Sequence, residues 1–149
     1  MFKKELSPWY IVGFVEGEGC FAITISKHKT KKLGKDARLI FEIELRGDDK
    51  PILEKIKDYF DCGYLVDLNY QRYGWMPHTK YAVHSFIEIK KIIIPFFKKY
   101  NLKGKKKKDF ILFCEAARIF SKGGHLTEKG IEELKVIRSQ MNEHRQFGK

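Results

Sequence analysis

Cysteine is scarce in this chain. Cys20, Cys62 and Cys114 are three in all, far apart and odd in number. No Cys-x-x-Cys or Cys/His pair has zinc-ligand spacing, so neither a disulfide framework nor a zinc site organises the fold, and reduced structural thiols are expected. Long apolar runs are missing too. None approaches the ~20 residues of a membrane span, so no membrane partner is expected. The opening Met1-Phe2-Lys3-Lys4-Glu5 carries no secretory signal. These absences point to an intracellular protein, of an organelle (mitochondrion or chloroplast) or of a prokaryotic cytoplasm. No solenoid period or low-complexity segment interrupts the sequence.

Acidic residues are also in short supply. Lys and Arg number 30 against 19 Asp and Glu, a formal net charge of +11 on 149 residues. So large an imbalance implies a polyanionic partner or an anionic surface. A hydrophobic content of 43% with 14% aromatics fits a folded chain. The length suits a single domain, residues 1–149.

The most informative stretch is Ser7-Pro8-Trp9-Tyr10-Ile11-Val12-Gly13-Phe14-Val15-Glu16-Gly17-Glu18-Gly19-Cys20-Phe21. Ser7 suits an N-cap, and Pro8 suits the first helical position, where its missing N–H would have had no partner. Gly13 and Gly17 lie four apart on one helical face, and small residues at that spacing let two helix backbones approach closely. Glu16 and Glu18 alternate with glycine, a poor continuation for a helix. Glu18 is the first choice for a functional residue. A carboxylate at the foot of a helix, near glycine carbonyls, is a ligand for a hard divalent ion such as Mg²⁺, with Mn²⁺ or Ca²⁺ as substitutes. Were two copies of this helix to pack together, two Glu18 carboxylates would converge.

Alternation over residues 21–27 predicts a strand with Phe21, Ile23 and Ile25 on a buried face and Ala22, Thr24 and Ser26 on a small polar one. A basic loop, residues 28–36, follows, and a phosphate-contacting role is preferred for it over a merely solvated one. Residues 38–46 alternate again. Asp48 or Asp49 is expected to cap a helix over 50–60 with Ile52, Leu53, Ile56 and Phe60 in its stripe. Strands are predicted at 64–73 and 80–87, with a turn at 74–78. Tyr64, Tyr70, Tyr73, Trp75 and Tyr81 are interleaved there with Gln71, Arg72, His78, Lys80 and His84, a mixture that suits nucleic-acid contact and hairpin packing equally. Helices are predicted over 88–100, disturbed at Pro95, over 110–120 after the densest positive run (103–108), and from a Thr127 cap to about Asn142. The order is that of an α+β fold with an antiparallel sheet covered on one face. Its free face, in a chain of this charge, is the natural nucleic-acid surface.

The nine residues Ile11-Val12-Gly13-Phe14-Val15-Glu16-Gly17-Glu18-Gly19 resemble the motif of LAGLIDADG homing endonucleases in its single-motif form, with Ile and Val at the first two positions a mild departure. Four further segments, 41–53, 93–102, Lys105-Lys106 with Asp109-Phe110, and 125–130, resemble the same family in family order. The resemblance implies an αββαββα unit with a four-stranded antiparallel, saddle-shaped sheet and helices on one face. It implies a homodimer joined through the motif helices at Ile11, Val12, Gly13, Glu16 and Gly17, and a Mg²⁺-dependent double-strand break in a long pseudo-palindromic target. Glu18 and the Gly17 carbonyl would hold the metal, with Glu16 a structural acid of the helix end. Lys105 or Lys106 matches the family's basic residue before the long C-terminal helix.

Double-stranded DNA would be read by alternate strand residues: Ala22, Thr24, Ser26, His28, Lys31, Arg38, Ile40, Glu42 and Glu44, joined by Arg72, Lys80 and His84. Lys29, Lys32, Lys35 and the run at 105–108 would hold phosphates. Where many members carry a glutamine, this chain has Leu45. That departure keeps open a second reading on the same scaffold, a catalytically weak or inactive RNA maturase, with host intron RNA as partner, or a DNA-binding regulator.

Overall fold

A computed structural model describes residues 5–141. The predicted helix end at Asn142 lies outside them. The first helix, α1 (Pro8–Glu18), starts as its sequence requires: Ser7 Oγ accepts the Tyr10 N–H at 3.1 Å and Pro8 opens the first turn. The chain passes straight into β1 (Gly19–Lys27), which pairs antiparallel with β2 (Lys35–Arg46). β2 begins before the predicted Arg38 because its pairing with β1 continues to Lys27 opposite Lys35. The intervening turn closes on itself through His28 N to Gly34 O at 2.9 Å and Gly34 N to Lys31 O at 2.8 Å.

α2 (Lys50–Phe60) follows, without the predicted side-chain cap from Asp48 or Asp49. Arg46 takes the Asp48 carboxylate instead, at 2.6 Å. β3 (Tyr64–Leu68) and β4 (His78–Val83) complete the sheet in the order β1-β2-β4-β3, so the two hairpins meet along their second strands. Both strands are shorter than the sequence suggests. Asn69 Oδ1 captures the Gln71 N–H at 2.8 Å and turns the chain away from the ladder, and Ser85 caps the next helix by accepting from Glu88 N.

That next helical run comprises α3 (Phe86–Glu88), a wide π turn (Ile89–Ile93) and α4 (Ile94–Lys99). The wide turn directly precedes Pro95, which has no N–H to donate and whose ring would crowd the preceding turn of a regular helix. α5 (Lys106–Ser121) starts four residues ahead of the predicted Phe110, because Lys106, Lys107 and Lys108 form its first turn without contributing to the apolar pattern. α6 (Glu128–Gln140) is capped by Thr127, whose Oγ1 accepts from Gly130 N at 3.0 Å.

The helices cover one face of the sheet. Phe21 is the hub of the core between them, with ring centroids 5.2–5.4 Å from those of Phe41, Phe97, Phe110 and Phe113. α1 contributes Ile11, Val12 and Val15, each at most 3% exposed. Ile11 and Val12, expected at an interface with another protein, are thus buried within their own chain. With Val15 they face β1 and β2, because the 3.6-residue period brings these three positions to one side of the helix. No helix among the described residues is long and apolar enough to cross a membrane, and all three cysteines are unbridged.

Between α2 and β3, Gly63 has φ +80°, and a Cβ there would lie 2.6 Å from the Ala82 carbonyl oxygen and 2.8 Å from the Tyr81 ring. Gly63→Ala should therefore lower unfolding stability by at least about 2 kcal/mol, measured by urea denaturation. An unchanged midpoint would mean that this crossing is looser than described.

Candidate functional site

The last turn of α1 carries two carboxylates at the negative end of the helix dipole, with no basic residue in that turn to balance them. The chain treats the two differently. Glu16 accepts the backbone N–H of Lys103 at 2.9 Å and that of Gly104 at 2.9 and 3.1 Å. Glu18 is exposed and has no hydrogen bond or ion pair among the described residues. It sits one residue before the start of β1. In the same last turn lies Gly17, where helix carbonyls run out of amide partners. No group of three or more His, Cys, Asp or Glu side chains suited to a metal occurs among the described residues. One chain thus offers a single hard anionic ligand, uncompensated, at a helix end that itself attracts cations. That chemistry fits a divalent ion whose other ligands come from outside the chain.

The outer face of α1 is open. A Cβ built on Gly13 or on Gly17 would meet nothing within 4 Å. Tyr10, at 48% exposure, and the half-buried Phe14 flank the two glycines, their rings 6.0 Å apart. Of the five residues predicted for a helix–helix interface, Gly13 and Gly17 lie on this face. Glu16 points to the loop ahead of α5, and Ile11 and Val12 are in the core. Lys105 and Lys106 stand at the opening of α5, the first exposed and the second half-buried, directly after the segment that Glu16 holds.

The uncovered sheet face carries the predicted alternate residues. On β1 these are Ala22, Thr24 and Ser26, opposite Ile40, Arg38 and Asp36 of β2. Lys31 and Arg38 share the Asp36 carboxylate, Arg38 Nε at 2.8 Å. These two hydrogen-bonded cations hold that carboxyl below its usual range. Two predicted DNA contacts are thus already engaged within the protein, while Lys29 and Lys32 stand exposed in the turn beside them and Lys35 is half-buried. His28 Nδ1 lies 3.1 Å from Thr30 Oγ1.

The acids of β2 are partnered as well. Glu42 lies opposite Ala82 and Glu44 opposite Lys80, so each can reach the diagonal neighbours on β4. Glu42 accepts from His84 Nε2 at 2.9 Å and stands 3.5 Å from Lys80 Nζ. Glu44 accepts from His78 Nδ1 at 2.8 Å and from the Tyr70 hydroxyl at 3.0 Å. The sequence reading missed Asp36 as a working part of this face and named Tyr70 and His78 only as suiting nucleic-acid contact and hairpin packing equally. The alternation His78, Lys80, Ala82 of β4 places His78 beside Lys80 on it. Arg72 lies in the β3–β4 connection, its guanidinium 4.8 Å over the Tyr73 ring, and with Asn69 and Gln71 lines an open groove of about 610 Å³.

Leu45 packs against the core at the sheet's covered side. The side chain at this position therefore does not reach the open face.

A helix–hairpin–helix–hairpin unit with an uncovered, charge-paired sheet face and an unbalanced acid at the end of its first helix has the layout of the homing-endonuclease class. A family profile described as LAGLIDADG endonuclease matches residues 11–117, well over half of the chain. The chain belongs to the LAGLIDADG endonuclease family. It is 31% identical over 138 residues to the "Probable intron-encoded endonuclease 2" of Neurospora crassa, covering 92% of this chain and 29% of that protein. It is 34% identical over 127 residues to an "Uncharacterized 50.9 kDa protein in ND4 intron 1" of Podospora anserina, covering 84% and 27%.

Among solved structures, it superposes on I-SmaMI bound to cleaved DNA with a TM-score of 0.86 at 30% identity, covering 97% of this chain and 47% of that one. I-LtrWI bound to target DNA gives 0.85 at 31% identity, covering 96% and 46%. I-SmaMI on an uncleaved target in the presence of calcium ions gives 0.85 at 30%, covering 95% and 46%. The chain thus spans less than a third of these curated relatives and about half of these solved ones.

Because its folded-state pKa is depressed, the Asp36 cluster stabilises the fold above the ordinary carboxylate range and loses that contribution as pH falls through the lowered value. Asp36→Asn should cost about 1 kcal/mol near neutral pH and flatten the acid limb of a stability–pH curve. It also releases Lys31 and Arg38, so the slope of log affinity for random duplex DNA against log salt should steepen by about one to two. An unchanged slope would show that neither cation becomes available to phosphate.

Proposed function

We propose that the protein is a site-specific homing endonuclease which, as a homodimer, cuts both strands of a long pseudo-palindromic DNA by Mg²⁺-dependent hydrolysis. The observation that carries this reading is Glu18, an acid at a helix C-terminus that nothing among the described residues neutralises. Glu18 and the Gly17 carbonyl would hold the ion, which when bound polarises the phosphate and supplies an activated water. Lys105 or Lys106 adds positive charge where the pentavalent phosphate gathers negative charge.

The dimer reading is supported by two features that need one another. The described residues bring one uncompensated acid at the end of α1, and the motif helix has an open glycine face. A two-fold axis through Gly13 and Gly17 brings two Glu18 side chains to one place and sets two copies of the sheet side by side, so the target would have two related half-sites. Residues 1–149 act as one unit in this arrangement. Double-stranded DNA is the partner, its bases read by Thr24, Ser26, Arg38 and the paired acids Glu42 and Glu44, its phosphates held by Lys29, Lys32 and the lysines opening α5. The solved I-SmaMI complex with an uncleaved target was obtained in the presence of calcium ions. Mg²⁺ is proposed here as the working ion, with Mn²⁺ as a substitute. The second reading, a non-cleaving RNA maturase or DNA-binding regulator, is favoured by one observation. Leu45 stands where the family resemblance leads one to expect a glutamine, so this chain has no amide at that position.

The test is a plasmid carrying the intronless allele of the gene that flanks this coding sequence. Wild type with Mg²⁺ should give linear product, and Glu18→Gln should lose at least about 10²-fold in rate while still binding. Binding without linear product over a range of salt would favour the second reading. The dimer is tested separately. A Cβ at Gly17 meets no atom of its own chain within 4 Å, so Gly17→Leu should stay folded yet shift the protein from dimer to monomer in light scattering. A wild-type monomer would remove the two-fold account.

A further inference from the structure

We propose that Glu16 is a positioning residue, a latch that fixes Lys105 and Lys106 relative to Glu18. The proposal rests on the endonuclease reading and deepens it. In sequence Glu18 and Lys105 are far apart; the latch joins their two segments, through Glu16 on one side and Gly104 on the other. Glu16 lies two residues before Glu18 in the last turn of α1, and its carboxylate holds the amides of Lys103 and Gly104 at 2.9 Å, one residue short of Lys105. Those amides lead the turn that opens α5, with Lys107 N bonded to Gly104 O and Lys108 N to Lys105 O. These two amides lie just ahead of Lys105, the N-cap of α5, and the Glu16 carboxylate supplies their acceptor. The end of α1 is thereby joined to the segment that leads into α5.

Two independent features show that the segment is built for this contact. A Cβ on Gly104 would lie 3.1 Å from Glu16 Oε1, close enough that the carboxylate would have to shift by a few tenths of an ångström, so glycine leaves it its room. On the near side, Leu102 is 1% exposed and anchors the segment in the core, while Lys103 Nζ sits 5.5 Å over the Trp9 ring of α1. Leu102, Glu16 and Trp9 together leave the backbone at 103–104 little freedom. The lysines that follow inherit that placement. Moving a charged group by about 1 Å from its working position can cost about 10²-fold in rate without weakening binding.

The experiment combines Glu16→Gln and Gly104→Ala, each alone and with Lys105→Ala or Lys106→Ala, on the same plasmid with Mg²⁺. It reads single-turnover cleavage, affinity without divalent ion, and thermal midpoint. Glu16→Gln keeps the shape but sets an amide against two amides. Gly104→Ala displaces the carboxylate from the other side and keeps the test intact should the first variant fold poorly. Each should slow cleavage by about 10²-fold, with affinity kept within about threefold. The distinguishing result is non-additivity: in either latch variant, removing the working lysine should cost no more than about threefold further, because that lysine is already out of place. Losses that simply multiply would make Glu16 a structural residue and overturn the proposal. So would wild-type cleavage by both variants, or a loss matched by lost affinity. A wild type that binds but never cuts overturns the endonuclease reading and the positioning role together, whereas cutting by wild type and latch variants alike overturns the latch alone.

Discussion

The structure turns on an electrostatic problem set at the end of α1. A helix C-terminus already carries partial negative charge, and this one adds Glu16 and Glu18 within its last turn. Like charges so placed oppose helix formation unless each is balanced. Glu16 is balanced inside the chain by two backbone amides, and Glu18 is not. The internal balance ties the first helix to the opening of α5 and so closes the fold. The external demand defines the site. α1 is committed on its other sides too. Ile11, Val12 and Val15 bind it to the sheet, and the open Gly13 and Gly17 face is the surface left for another helix.

The uncovered sheet face obeys the same accounting of charge. Despite a net charge of +11, it is not a plain positive field. Asp36 is clamped by Lys31 and Arg38, Glu42 by His84 and Lys80, and Glu44 by His78 and Tyr70. A carboxylate facing DNA would repel phosphate if bare. Paired with a cation or a ring N–H, it keeps lone pairs for the exocyclic amines of bases. Under the proposed function, bulk attraction would then fall to Lys29, Lys32 and the lysines opening α5. Affinity and selectivity would thus be carried by different residues of one surface.

What could be read from sequence was what depends on neighbours along the chain. Ser7 with Pro8 announced α1, Thr127 announced α6, and strict alternation announced β1 and β2 with their buried sides. The order of helices and strands and the nine-residue motif gave the family. What escaped depended on partners distant in sequence or on charge masking a pattern. The start of α5 was hidden because Lys106, Lys107 and Lys108 contribute a helical turn without an apolar signal. β3 and β4 were overextended because Asn69 and Ser85, each ordinary in a strand context, bend the chain by bonding backbone amides. The motif's apolar run gave no way to tell that Ile11 and Val12 turn inward while Gly13 turns out. Nothing local marked Glu16 as the partner of Lys103 and Gly104.

The central claim is that Glu18 is the acid reserved for a cation supplied from outside the chain. The most direct measurement is Mn²⁺ bound to the protein–DNA complex, counted by electron paramagnetic resonance. The account predicts tightly bound Mn²⁺ in the wild-type complex and its loss in Glu18→Gln at unchanged DNA occupancy. Equal Mn²⁺ in the two complexes would contradict it.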